Sequence, residues 1–198
     1  MAVRTHAGAA LPEAELALDA RVVSVGVWLF LSADLFFFAG WWFTYFYLRA
    51  INNNNAWIIQ GLVRPNKAYG LVALLLFVLS AVTYWATTRV AVRSALFKLL
   101  APISLVLGAA ACLFQGYGMW HLGFGLTDGG YPSVFSGMTT SWLIQIVFAV
   151  VWLATVVAQV GTAGDTRRRP HAAASFGWIL LFLAAVGIIN YILLYLVA

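Results

Sequence analysis

The sequence predicts an all-α, polytopic membrane protein with five transmembrane helices. Of its 198 residues, 64% are hydrophobic and only 9% are charged, whereas a soluble domain of this size needs far more charge to cover its surface. The mean hydropathy is +0.93. An apolar stretch of about 20 residues can cross the hydrocarbon core of a bilayer. Five stretches meet that length: residues 22–48, 68–88, 99–122, 134–160 and 175–197.

Residues 1–21 are predicted to be a cytoplasmic tail that precedes a transmembrane domain of residues 22–198. The tail carries Glu13, Glu15 and Asp19 but no apolar core of a signal peptide. We expect at most a short helix near residues 12–19. The first apolar stretch could run for about 40 Å at ~1.5 Å per residue, so it is expected to tilt or to extend past the bilayer.

Polar connections separate the apolar stretches. Residues 50–66 contain four consecutive asparagines, residues 89–98 are basic, and residues 123–132 are rich in glycine, which is typical of exposed loops. Residues 161–170 include three consecutive arginines. No internal repeat is visible of the kind that builds transporters from inverted halves.

The distribution of positive charge predicts the orientation. Eight of the eleven Lys and Arg residues lie on the side of the tail and of the second and fourth loops. The positive-inside rule therefore places the N-terminus in the cytoplasm and the C-terminus outside. Residues 167–169 are predicted to anchor this topology, with a specific site for anionic lipid as the alternative.

Metal binding and nucleic-acid binding are not expected of this chain. Haem or copper needs ligands at membrane depth, but His6, His121 and His171 lie in the tail, at a helix end and in a loop. The single cysteine, Cys112, excludes an internal disulfide and is expected to be a small buried side chain. No basic stretch is interleaved with aromatic residues.

Asp34 is the one acid that lies clearly inside a predicted span, about 18 Å along the helix axis from its cytoplasmic end. A carboxyl group at that depth costs a few kcal/mol, so we expect it to be protonated or to accept from a hydrogen-bond donor. Two interpretations remain open. Asp34 fixes packing through a polar group on a neighbouring helix, or it holds a lipid head group or tunes proton traffic in a partner.

Three motifs resemble the five-helix subunit III proteins of haem-copper oxidases. Residues 28–40, which end in Phe-Phe-Phe-Ala-Gly and are followed by Tyr45 and Phe46, resemble the aromatic run of that family's first helix. The family's acid in a lipid-filled cleft maps onto Asp34. Gln115 and Tyr117 are similar to the Gln-x-Tyr-Glu of helix three. Residues 128–135 are similar to the Asp-Gly-x-Tyr-Gly-Ser-x-Phe start of helix four.

The chain departs from this family pattern at the ionisable positions of the cleft. Trp142 and Gln145 stand where the family has a His-x-x-His pair in helix four, and Gly118 replaces the glutamate of helix three. The polar His-x-x-Asp of the last helix is absent, because residues 180–188 are apolar apart from glycine. These departures indicate a divergent branch.

The resemblance implies a bundle arranged as a V around a lipid-filled cleft and docked on oxidase subunit I in a bacterial or archaeal plasma membrane. The complex would reduce dioxygen to water and pump protons, with haem and copper in subunit I and no cofactor, metal or catalytic centre in this chain. Membrane phospholipid is the other expected partner. The expected cleft residues are Asp34, Gln115, Tyr117, Trp142 and Gln145.

Two other functions stay open at this point. One is the accessory subunit of a nitric oxide reductase, which shares the fold. The other is an unrelated small transporter or membrane assembly factor.

Overall fold

The computed structural model describes residues 13–52, 57–58, 60–90, 94–162 and 169–197. Within these ranges the chain is helical and contains no strand. Five of its helices are long and apolar enough to cross a membrane, which confirms the predicted all-α fold with five spans. The α-helices are α1 (Glu13–Ala50), α2 (Lys67–Thr87), α3 (Ala95–Trp120), α4 (Gly130–Thr162) and α5 (Arg169–Tyr191).

Helix α1 begins earlier than the sequence analysis expected. Its 38 residues form one continuous helix from Glu13, so the short helix expected near residues 12–19 runs without a break into the first span. Neither Gly nor Pro occurs between Glu13 and Val25, and most of these residues favour a helix. At ~1.5 Å per residue α1 measures about 57 Å, well beyond the ~30 Å of a hydrocarbon core.

Two helices begin at polar caps. Asn66 precedes α2, and its side-chain oxygen accepts from the backbone N–H of Ala68 at 2.9 Å. Ser94 precedes α3 and accepts from the N–H of Phe97 at 3.1 Å. Each cap satisfies one of the backbone donors that a helix start leaves unpaired.

The five helices pack into a single bundle. Helix α1 lies against α4 and α5, whereas α2 lies against α3 and α5, and α4 contacts α3 and α5. The central core contains Phe77, Tyr84, Trp142 and Phe176, all buried.

A second core closes the end of the bundle at which α1 ends and α4 begins. Tyr45, Trp57, Tyr131 and Phe135 are buried there. The backbone N–H of Tyr131 donates to the carbonyl of Trp57 at 3.0 Å, which ties the first loop to the start of α4.

The chain leaves α5 through a π-helix, Ile192–Val197. Such wider turns are rare. Here the Tyr131 hydroxyl donates to the carbonyl of Leu194 at 2.8 Å. The ring of Tyr195 lies on Gly70, where an added Cβ would approach the ring to 2.6 Å.

Several predicted features lie outside the part of the chain whose side chains the structure describes. They are the first twelve residues of the tail with His6, the arginines of residues 167–169, and the side chain of His171.

Candidate functional site

Asp34 and Gln145, two of the predicted cleft residues, are hydrogen-bonded to each other. The Gln145 Nε2 donates to Asp34 Oδ1 at 2.6 Å, which joins α1 to α4. Asp34 is only 8% exposed. Gln145 therefore supplies the donor that burial of this carboxyl requires.

The same pair leaves two buried oxygens without a hydrogen-bond partner among the described residues, Asp34 Oδ2 and Gln145 Oε1. A carboxylate oxygen and an amide oxygen both accept only. The pair therefore lacks a further donor, which a ligand or a proton on the carboxyl group could supply. An unsatisfied buried acceptor is costly, so an additional donor or a proton at this point would stabilise the pair.

Asp34 lies on the inward face of α1. Leu31, Asp34, Phe38 and Tyr45 are all buried, and their spacing follows the inner stripe of an α-helix. Phe30 and Phe37, each about one turn from Asp34 on the same helix, are about half exposed.

Trp142 holds α4 against α5. Its indole N–H donates to the carbonyl of Leu183 at 2.9 Å. Its ring covers Gly187, where an added Cβ would lie 2.6 Å from the ring, and it meets Phe77 edge to face at 5.6 Å. The tryptophan at the other histidine position is thus a packing residue at a close helix crossing.

Gln115 lies in the same region as Trp142 but away from Asp34. Gln115 is buried and lines a small cavity together with Trp142, Thr139 and Asn190. Asp34 and Gln145 do not line this cavity. Asp34 and Gln145 therefore form one group of candidate residues, and Gln115 and Trp142 form another beside this cavity.

Tyr117 is set apart from both groups. Its side chain is 51% exposed and contacts the rings of Tyr69 and His121. The His121 Nδ1 is hydrogen-bonded to the carbonyl of Tyr117 at 2.9 Å.

Comparison with curated proteins finds a relative of close to the same length. The chain is 28% identical over 187 residues to the cytochrome c oxidase subunit 3 of Corynebacterium diphtheriae, and the aligned region covers 90% of this chain and 91% of the relative. This similarity supports a subunit III-like assignment. No family model matches it.

The chain contains a polar contact between α1 and α5 that the sequence analysis missed. The Trp42 Nε1 donates to Asn190 Oδ1 at 2.9 Å. Asn190 is buried and is the one amide in the last apolar span, two residues beyond the segment 180–188 that was described as apolar. An amide inside a span was the available signal.

A second missed contact joins α2 to α3. The Ser80 hydroxyl donates to the carbonyl of Ser104 at 2.7 Å, and the Ser104 hydroxyl donates to the carbonyl of Ser80 at 2.8 Å. Gly108 permits this approach, since an added Cβ would lie 3.1 Å from the Ser80 oxygen. The hydrogen-bond partner of an isolated serine in an apolar span cannot be predicted from sequence, because a serine hydroxyl often donates to a carbonyl of its own helix.

The described residues contain no group of three or more His, Cys, Asp or Glu side chains placed to hold a metal ion. The site joins helices through three hydrogen bonds. They run from amide to carboxyl, from indole to amide and from indole to backbone carbonyl, and they connect α1, α4 and α5.

Proposed function

We propose that this chain is the non-catalytic accessory subunit of a haem-copper terminal oxidase. The observation that carries the proposal is the similarity to a cytochrome c oxidase subunit 3 along about nine-tenths of both chains. Five helices that are long and apolar enough to cross a membrane support it further. In this proposal haem and copper belong to subunit I, where dioxygen is reduced to water and protons are pumped.

The contacts of the candidate site support a structural role. Asp34, Gln145, Trp42, Asn190 and Trp142 each use a side-chain group to bond another helix. Interhelical hydrogen bonds in membranes fix the relative position of helices at a modest energy each. The chain would thus offer subunit I a bundle of fixed shape.

The outward face of α1 is the surface that we propose meets subunit I. Leu29, Phe36 and Phe43 recur every seven residues and are among the most exposed apolar side chains of the chain. Only 17% of the most apolar window of the α1 span is buried within the chain. Phospholipid would cover the other apolar faces of the bundle.

Asp34 has two roles in the proposal. Its bond to Gln145 holds α1 in place on α4, and its second oxygen is the position at which a lipid head group or a proton would be held. Asp34→Asn keeps one acceptor oxygen for Gln145 while removing the carboxyl group, so it separates the two roles.

The experiment is deletion of this chain from its host, with measurement of assembled oxidase and of how activity decays during turnover. We expect less assembled oxidase or faster inactivation, restored by the wild-type chain. Asp34→Asn should restore assembly but not the resistance to inactivation. Normal assembly and normal decay in the deletion strain would overturn the proposal, and full restoration by Asp34→Asn would limit Asp34 to packing.

The metal content of the copurified partner distinguishes a haem-copper oxidase from the related nitric oxide reductase. A haem-copper oxidase contains copper beside the haem, whereas a nitric oxide reductase contains non-haem iron. We expect copper.

A further inference from the structure

A small cavity lies among α2, α3, α4 and the end of α5, and we name it the Asn190 pocket. Its walls include Gly70, Gln115, Thr139, Trp142, Asn190 and Tyr195. It offers about 20 Å³ to the centre of a water-sized molecule. One buried water needs roughly 10–15 Å³ on this measure, so the space is sufficient for one ordered water.

The orientation of the Asn190 amide is fixed by its partner. The indole N–H of Trp42 can only donate, so the atom at 2.9 Å from it must be the amide oxygen of Asn190. The Asn190 nitrogen therefore points away from Trp42. Asn190 is 5% exposed, and this nitrogen is buried without a hydrogen-bond partner among the described residues.

The opposite walls of the Asn190 pocket provide acceptors. Thr139 uses its only hydroxyl proton on the carbonyl of Phe135 at 2.6 Å, so its oxygen can only accept from any other group. The Gln115 amide, which lines the same cavity, has an oxygen and a nitrogen to offer. A water is the smallest molecule that accepts from Asn190 and donates to such oxygens at the same time.

A second cavity shares Gly70, Gln115 and Tyr195 with the Asn190 pocket and extends to Asn66 and His121. Asn66 and His121 are exposed and lie at the ends of α2 and α3. Water that entered this second cavity from the surface would therefore reach residues that also line the Asn190 pocket.

We propose that the Asn190 pocket binds one ordered water, which accepts from Asn190 Nδ2 and donates to Thr139 Oγ1 or to the Gln115 amide oxygen. This water links α5 to α3 or α4, beside the point at which α5 changes into the π-helix. The site is independent of the proposed oxidase function, since it requires only the residues of this chain.

A density map of the full chain in lipid, at a resolution that shows ordered waters, tests the proposal. We expect a single spherical peak about 2.7–3.2 Å from Asn190 Nδ2 and from an oxygen of Thr139 or Gln115. An Asn190 nitrogen that donates directly to a protein carbonyl would overturn the proposal, and so would an empty pocket or the elongated density of a lipid or detergent.

Two variants test which group holds the water. Asn190→Leu removes the donor and should abolish the peak. A peak that persists in Asn190→Leu contradicts the assignment. If Asn190→Leu does not fold, Thr139→Val is the second variant and should weaken or shift the peak, with Thr155→Val, which removes a hydroxyl from an exposed part of α4, as the control that leaves it unchanged.

Discussion

Gln145 on α4 donates a 2.6 Å hydrogen bond to Asp34 on α1, and this bond joins residues that are 111 positions apart in sequence. The resemblance to subunit III proteins implies an acid and a histidine at these two positions, where this sequence has Asp34 and Gln145. The Gln145 amide thus provides a donor to the buried carboxyl group.

Removal of either member of this pair should destabilise the bundle more than removal of both. Gln145→Leu leaves the Asp34 oxygens buried without a donor, at a cost of about 1–3 kcal/mol. Asp34→Leu leaves the Gln145 amide equally unpaired. The double variant removes both polar groups, so a double-mutant cycle should give a coupling energy of about 0.5–3 kcal/mol, measured by unfolding in mild detergent. Additive effects of the two substitutions would mean that the bond contributes nothing.

Gly187→Ala should destabilise the contact between α4 and α5, because its Cβ would lie 2.6 Å from the Trp142 ring. Thermal unfolding should shift to lower temperature. Gly116→Ala in α3 is the matched control, since nothing lies within 4 Å of its added Cβ, and alanine favours a helix over glycine by up to about 1 kcal/mol. Equal shifts for both variants would contradict this account of Gly187.

Trp142→Phe should cost about 1–3 kcal/mol, because it removes the donor to the Leu183 carbonyl and opens space over Gly187. The control is Trp152→Phe on the same helix, where the side chain is about half exposed. The difference in unfolding free energy between the two variants measures the contribution of Trp142. No difference between them would refute the packing role.

Phe38→Ala and Phe36→Ala should separate folding from docking. Phe38 is fully buried, whereas Phe36 is 78% exposed. We expect Phe38→Ala to destabilise the isolated chain by about 3 kcal/mol and Phe36→Ala to change its stability by less than about 0.5 kcal/mol. Only Phe36→Ala should reduce the amount of partner that copurifies with a normally folded chain. Full copurification with Phe36→Ala would argue against the α1 face as the docking surface.

The spans could be predicted from sequence because the membrane imposes one length and one composition on each helix. The start of α1 could not be placed, because polarity marks the edge of the bilayer rather than the end of a helix. Glu13 and Val22 differ in polarity, yet both belong to α1.

The site could be predicted only in part. Asp34 stood out because an acid inside a span is costly, and the need for a donor followed from the same cost. That Gln145 is this donor depends on how α1 and α4 are rotated about their axes, which hydropathy does not specify. The contact of Asn190 depends in the same way on how α1 and α5 are rotated, and the contact of the paired serines depends on how α2 and α3 are rotated.

The most direct test of the central claim is isolation of this chain in mild detergent, followed by a haem spectrum and metal analysis of the material that copurifies. The account predicts a larger complex with haem and copper, and it predicts that both are lost with the partner when this chain is separated from it. A stable, solitary and haem-free protein, or haem retained by this chain alone, would contradict the account.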